Sequence, residues 1–421
     1  MIVPSIDISG GRAVQLVGGE TVAIEAGDPR PLLERFSIVG EVAVVDIDAA
    51  RGESDNENLI AELCRRHPVR VGGGIRDVET ATRWLDRGVE KIIIGTAADP
   101  DLLSRLPRDR VIVALDSRHG DVLSHGWRRS TGRSVMERID ELKELCGGFL
   151  VTFVEREGRL EGTDLDRAAE VVMAAGDRRV TIAGGITSPE EVARLDRIGA
   201  DAQVGMALYT GQLALSDALA AMLSSERPDR LWPTVVVDER GTALGLAWSS
   251  ADSLTDAVES RRGVYESRSR GAWVKGETSG ATQQLLRVDV DCDRDALRFT
   301  VRQHGSGFCH TGDRTCWGSD RGVGRLARRL GGIAAADNPA SNTQRLFRNP
   351  ALLAAKLGEE VAELTAAATA TDVTEEAADL LYFLLVKTTS AGVSFHEVEA
   401  ELDRRERRVT RRPMVPKEER P

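Results

Sequence analysis

The sequence lacks any excess of positive charge: 56 Lys and Arg against 67 Asp and Glu leave a formal charge of -11. No net positive field is available to gather a phosphate backbone, which excludes a general nucleic-acid surface and leaves small anionic ligands to local sites. Long apolar runs are missing too. None approaches the roughly 20 residues that span a bilayer, and Met1 leads straight into the strand-like IVPSID without a charged, apolar leader. No membrane partner is expected, and the chain is expected in the cytoplasm. Cysteine is scarce and odd in number (Cys64, Cys146, Cys292, Cys309 and Cys316), which suits a reducing compartment better than a disulfide framework. Three of the five fall between positions 292 and 316, and that clustering needs a reason.

At 421 residues the chain is too long for one ordinary domain. Up to about Leu223, short β-branched runs (IVPSI, VAVVDID, VRVGG, KIIIG, VIVAL, FLVTF, VTIAGG) alternate with amphipathic helical stretches, implying a parallel sheet. An internal repeat decides for a closed (β/α)8 barrel made of two half-barrels. Gly73, Gly74, Ile75, Glu79 and Gly88 stand opposite Gly184, Gly185, Ile186, Glu190 and Gly199, each pair 111 positions apart. At nearly the same shift IVPSIDISGG lies over VIVALDSRHG and brings Asp7 opposite Asp116.

From Leu231 to about Trp317 the chain reads as strands and turns, with VVVDERGTALGLAW as a hairpin, and this is expected to be a β-rich α+β domain. A connector, GGIAAADNPAS, then precedes two long helical patterns, roughly 343 to 368 and 373 to 408, an all-α helical domain. The expected divisions are 1–226, 227–319 and 320–410, followed by a disordered tail over 411–421.

Asp7 and Asp116 should end the first and fifth strands and face each other across the barrel mouth, where barrel enzymes keep their chemistry. Such a pair can act as general base and general acid. The turns at Gly73-Gly74 and Gly184-Gly185, with Gly95-Thr96 and Gly205 on the following strands, can present backbone N–H groups to phosphate at two opposed places. A ligand phosphorylated at both ends is expected.

IDISGGRAVQL, VVDIDAARG, VGGGIR, IIIGTAA, ALDSRHGDVLSHGW and VTIAGGIT together resemble the histidine-biosynthesis isomerase of phosphoribosylformimino-aminoimidazole carboxamide ribotide over about residues 1 to 224. The resemblance implies a cofactor-free Amadori rearrangement of an aminoaldose to an aminoketose. It implies that Asp7 takes the proton from C2′, that Asp116 protonates the ring oxygen, and that Thr152 supports by hydrogen bonding. Gln15 stands where that family usually has Arg, Glu157 replaces an Asp, and Met206 replaces a basic residue. A weakened scaffold barrel, or one also accepting phosphoribosylanthranilate, remains the alternative.

In VDVDCDRDALRF, Asp291, Asp293 and Asp295 alternate along what reads as an extended strand, sharing a face that suits Mg2+ while Cys292 points away. Cys292, Cys309 and Cys316, beside His310, offer the three thiolates of a zinc site with an open position. With Arg268, Arg270 and Lys275 of YESRSRGAWVKGETSG as candidate phosphate ligands, residues 228 to 318 resemble phosphoribosyl-AMP cyclohydrolase. That resemblance implies Zn2+-assisted attack of water on C6 of the purine, Mg2+ at the aspartates, and His310 among the catalytic groups. It further implies zinc ligands drawn from two subunits, with Cys292 crossing over, hence a homodimer. Ala281 stands where Asn is common.

Glu359, Glu360 and Glu363 in LLAAKLGEEVAELTAA crowd one helical sector, and Glu376 and Asp379 are spaced three apart on the next helix. Carboxylates on two facing helices suit Mg2+ bound to a polyphosphate. SNTQRLF, KLGEEVAEL and EEAADLLYFLL resemble phosphoribosyl-ATP pyrophosphohydrolase over about 325 to 408, with Asn342 in place of the usual Tyr. Glu360 would then be a catalytic as well as a metal-holding residue. The three implied substrates, phosphoribosyl-ATP, phosphoribosyl-AMP and a bisphosphorylated ribotide, are consecutive.

Overall fold

The structure, a computed structural model, describes residues 1–19, 21–124, 126–269, 271–336 and 341–411. Arg270 and, beyond Arg411, the expected tail lie outside the described residues. Two compact units divide the chain: one holds 1–238, 243–306 and the segment from 407, the other 239–242 and 307–406. The expected division 227–319 is thus shared, its sheet lying in the first unit and Cys309, His310 and Cys316 in the second. Among the described residues no helix is long and apolar enough to cross a membrane.

In the first unit eight parallel strands close into a barrel: β1 (Ile2–Ser9), β2 (Val42–Asp46), β3 (Val69–Gly72), β4 (Lys91–Ile94), β5 (Val111–Arg118), β6 (Gly148–Phe153), β7 (Arg179–Ala183) and β8 (Ala200–Val204), with β8 beside β1. Seven coincide with the β-branched runs. The eighth, ADAQV, has a single β-branched residue, so only the repeat discloses it. Register places the chemistry: Asp7 of β1 lies beside Val45 of β2, and Asp116 of β5 beside Thr152 of β6.

The duplication extends to caps and core. Asp77 accepts the Thr80 N–H at 2.7 Å to start helix Val78–Asp86. Ser188, again 111 positions on, caps Pro189–Arg197 in a box with Glu191. Each half also sends out a two-stranded arm, Arg12–Val17 with Thr21–Gly27 after β1, and Asp121–Ser124 with Arg129–Ser134 after β5. The arms meet: Trp127, left-handed at φ 69°, lies so close to Gly19 that a Cβ there would stand 2.6 Å from the indole.

A six-stranded sheet completes the first unit. Its order is Gly271–Val274, Val264–Ser267, Ala243–Ser249, Trp232–Val237, Leu297–Gln303 and Gln283–Val290. The expected hairpin is present as the antiparallel pair Trp232–Val237 and Ala243–Ser249. The extended strand expected through Asp295 is not. It ends at Val290, because Asp291 Oδ1 accepts the N–H groups of Asp295 at 3.0 Å and Ala296 at 3.1 Å and curls the chain into a turn.

The second unit is helical: Gly322–Ala335, Asn342–Arg348, Pro350–Ala366, Ala370–Ser390 and Phe395–Glu406, packed around Leu330, Leu346, Leu353, Leu385 and Val386. Each of the two long helical patterns is therefore split, and the supposed connector is helical as far as Ala335. Pro350 divides the first, since the residue before proline is pushed out of helical geometry and Asn349 instead caps the next helix through Leu352 N. Gly392 at φ 70° divides the second, with Val393 N–H closing on Thr388 O at 2.9 Å.

Arg70 is wholly buried in the barrel. It donates to Thr181 Oγ1, its neighbour by the 111-residue repeat, at 3.0 Å and to Glu41 Oε2 at 2.5 Å. Burial raises the Glu41 pKa, but the charge and hydrogen bond of Arg70 outweigh it and the net shift is downward. Replacing Arg70 by Ala should cost about 3 kcal/mol in urea unfolding at pH 7, because Glu41 loses its principal cation. The folded pKa of Glu41 is depressed, so the pair stabilises above the ordinary carboxylate range; the difference between the proteins should shrink as pH falls below it.

Candidate functional site

A cavity of about 960 Å3 opens at the C-terminal ends of the barrel strands, with Asp7, Asp116, Thr152 and Glu157 on its lining. Gly73, Gly74, Gly95, Thr96, Gly184, Gly185 and Gly205 line the same space, so every barrel residue expected in the site is brought together there. The two glycine turns share their backbone: Gly73 and Gly184 both have φ 99°, and any Cβ would strike Asp46 O or Phe153 O. Glycine is required at both for close approach of neighbouring chain, independently of what the turns bind. Arg51, Arg76 and Arg128, all exposed, line the cavity as well.

Three carboxyls gather in the cavity, and among the described residues no lysine or arginine offsets their charge. Burial pushes Asp7 up to about 7. Asp116 is raised by burial as well, while hydrogen bonds from Trp127 and Thr152 work in the opposite direction. Glu157 is pushed up to about 8, first by burial and then by the charges of Asp7 and Asp116. Its backbone is fixed by the first arm, with Gly18 N–H on Glu157 O at 3.4 Å and no room for a Cβ at Gly158 against Leu16 O. Glu157 and Trp127 are the site residues that sequence reasoning missed. Glu157 was visible only as a departure from a family pattern, and Trp127 only as the end of a quoted motif.

Gln15 and Met206 are both buried, at 2% and 7% exposure, and neither side chain carries a charge. Gln15 donates to Val14 O at 3.0 Å, and its Oε1 fills the space a Cβ at Gly205 would need.

In the six-stranded sheet, the turn after Val290 draws carboxylate oxygens of Asp291, Asp293 and Asp295 within 4.8 Å of one another. They meet through the turn and not through a shared strand face. Cys292 is exposed in that turn. Arg268 is exposed, its guanidinium carbon 5.5 Å from the Trp248 ring centre. Lys275 is buried and donates to Ala281 O at 3.2 Å. Close by, Tyr265 donates to Gln283 at 2.6 Å and Gln283 to Gln303 at 2.8 Å.

In the second unit, Cys309 N–H on Asp313 O and Gly312 N–H on Cys309 O, both 3.1 Å, fold a tight loop. There Thr311 and then Cys316 donate to Cys309 and hold its thiol below the ordinary range, with His310 Nδ1 3.8 Å from Cys309 Sγ. Two adjacent sulfur donors suit Zn2+, as the three clustered carboxylates suit a hard divalent cation. On the facing helices, Glu360 belongs to two acidic groups, one with Glu359 and Glu363 and one with Glu376 and Asp379. Glu360 is buried at 4% exposure, and burial followed by the charges of Glu363 and Glu360 raises the Glu376 pKa. Lys356 reaches Glu359 at 2.8 Å and Glu360 at 3.2 Å from one edge.

Three family models match consecutive stretches: histidine biosynthesis protein over 1–214, phosphoribosyl-AMP cyclohydrolase over 245–318, and phosphoribosyl-ATP pyrophosphohydrolase over 323–406. The chain belongs to the histidine biosynthesis protein family. Among relatives of this family member, a phosphoribosyl-bearing imidazole-4-carboxamide isomerase of Gemmatimonas aurantiaca is 39% identical over 225 residues, which cover 50% of this chain and 94% of that protein. A histidine biosynthesis trifunctional protein of Neurospora crassa is 40% identical over 345 residues, 80% of this chain and 37% of the relative. A histidine biosynthesis bifunctional protein of Schizosaccharomyces pombe is 44% identical over 203 residues, 48% of each. The chain thus spans less than half the length of these two fungal relatives.

Glu157 supplies a test of the cavity's electrostatics. Its folded pKa is raised, so the unfolded chain ionises first and wild-type stability falls as pH climbs from the ordinary carboxylate range to about 8. Glu157→Gln and wild type should melt together near pH 4, and the variant should melt higher at pH 8.

Proposed function

We propose that this chain catalyses three consecutive steps of histidine biosynthesis. These are Mg2+-dependent hydrolysis of phosphoribosyl-ATP to phosphoribosyl-AMP and pyrophosphate, Zn2+-dependent opening of the purine ring, and isomerisation of the resulting aminoaldose to the aminoketose. The observation that carries the reading is the matched pair Asp7 and Asp116, at equivalent ends of β1 and β5 on one cavity between two duplicated glycine turns. The order of the three family matches supports it.

In the barrel, Asp7 removes the C2′ proton. Its pKa near 7 suits a base that must exchange a proton at neutral pH. Asp116, held by Thr152 and Trp127, is the acid that protonates the ring oxygen. Burial keeps it able to retain a proton where a solvated aspartate has none. Glu157 stays neutral beside an ionised Asp7, so it adds no second charge while Asp7 works. The paired glycine turns bind the two phosphates.

In the later regions the partner subunit's Cys292, with Cys309 and Cys316, would hold zinc. Asp291, Asp293 and Asp295 would hold one magnesium, and Glu359, Glu360, Glu363, Glu376 and Asp379 another. Bound there, zinc supplies Lewis-acid activation of water and magnesium supplies charge neutralisation for phosphate. His310, next to Cys309, would exchange protons at the ring-opening site, and Arg268 and Arg270 would bind phosphate. A homodimer through these regions and a cytoplasmic setting belong to the same proposal.

A second reading, the barrel as a weakened scaffold, is favoured by one observation: neutral Gln15 occupies the space beside Gly205 where a phosphate cradle needs room and charge. Assay of the aminoaldose alone separates the two. Asp7→Asn and Asp116→Asn should each lower isomerase turnover by about 10²–10⁴-fold with the melting temperature retained; unchanged turnover would favour the scaffold.

A further inference from the structure

We infer that the barrel holds the carboxylate turn of the cyclohydrolase region in shape through Arg294, a positioning residue that ties the turn to Asp196 on the barrel's outer helix. The inference rests on the proposed assignment of Asp291, Asp293 and Asp295 to a divalent cation.

Asp291 holds the turn from within, against two opposing costs. Three carboxylates within 4.8 Å repel one another, and Arg294 adopts φ 66°, a left-handed backbone that a side-chain-bearing residue occupies only at a cost. From outside, the hold is the guanidinium. Arg294 Nε donates to Asp196 Oδ2 at 2.7 Å and Nη2 to Asp196 Oδ1 at 2.9 Å, a two-pronged pair. The remaining nitrogen, Nη1, turns back to Asp291 O at 2.6 Å. One planar group therefore joins helix Pro189–Arg197 of the barrel to the backbone of the first carboxylate in the cluster.

The barrel's side of the joint is well fixed. The Asp196 side chain is 7% exposed. Burial raises its pKa, yet hydrogen bonds from Arg294 and the Met1 amino group outweigh this and keep it ionised. Ser224, just past helix Leu215–Met222, adds a second tie by donating its N–H to Arg294 O at 2.7 Å. Asp196 does not line the barrel cavity, so a change there leaves that cavity's lining intact. Groups that orient a metal's ligands without touching the metal typically change its affinity by about 10–100-fold.

The test is Mn2+ binding to the full chain by electron paramagnetic resonance, with the Mn2+ lost in Asp293→Ala defining this site. Arg294→Gly keeps the left-handed backbone while removing the guanidinium, and should weaken that Mn2+ by about tenfold or more. Arg294→Lys, which keeps charge but not the fork, should fall between. Arg294→Gly combined with Asp196→Asn should be no worse than the more damaging single change, as expected of two residues acting as one joint. Isomerase turnover measured in parallel should be unchanged in all of them. Unaltered Mn2+ affinity in Arg294→Gly and Asp196→Asn would overturn the inference. If Asp293→Ala loses no Mn2+, the cation assignment fails instead.

Discussion

Asp7, Asp116 and Glu157 share one recess, and among the described residues no lysine or arginine lies close enough to lower their pKa values. Apart from hydrogen bonds on Asp116, little on the lining offsets their charges, and the two arms that border the recess meet at Gly19 and Trp127. The same contact lets Trp127 donate to Asp116, while Thr152 donates from the neighbouring strand. Two of the three acids thus have shifted, nearly neutral proton affinities, and the third differs from its partner mainly in its hydrogen bonds. That difference is what a single substrate needs from a base and an acid.

The first unit joins this barrel to the six-stranded sheet through specific charged contacts. Arg294 on Asp196 is the most completely satisfied of these, and it sits in the turn that carries the three aspartates. If that turn binds a cation, as proposed, the barrel has a role in the chain beyond its cavity. A chain with consecutive sites gains nothing chemically from linkage alone, but a neighbouring domain that shapes a ligand turn makes the two parts structurally interdependent.

The barrel was legible in the sequence because duplication repeats every informative position: the glycine turns, the capping residues Asp77 and Ser188, and the carboxylates themselves. Even β8, poor in β-branched residues, follows from the repeat. Less could be read where one local interaction overrides a pattern. Alternating aspartates after Val290 mimic a strand, yet Asp291 captures two backbone N–H groups and bends the chain. Continuous helical composition hid the breaks at Pro350 and Gly392. Glu157 and Trp127 escaped notice as site residues because their significance lies in burial and in the meeting of two arms, neither of which has a sequence signature. Lys275, read from sequence as a phosphate ligand, is buried and donates to Ala281 O.

The paired aspartates of the barrel are proposed to complete a reaction sequence begun by the later regions of the same chain. The most direct measurement supplies the purified chain, with Zn2+ and Mg2+, with phosphoribosyl-ATP and identifies by mass spectrometry and NMR the last species to accumulate. The aminoketose is the expected product. Accumulation of the aminoaldose, with no ketose formed, would contradict it and leave the barrel as a structural partner of the hydrolase sites.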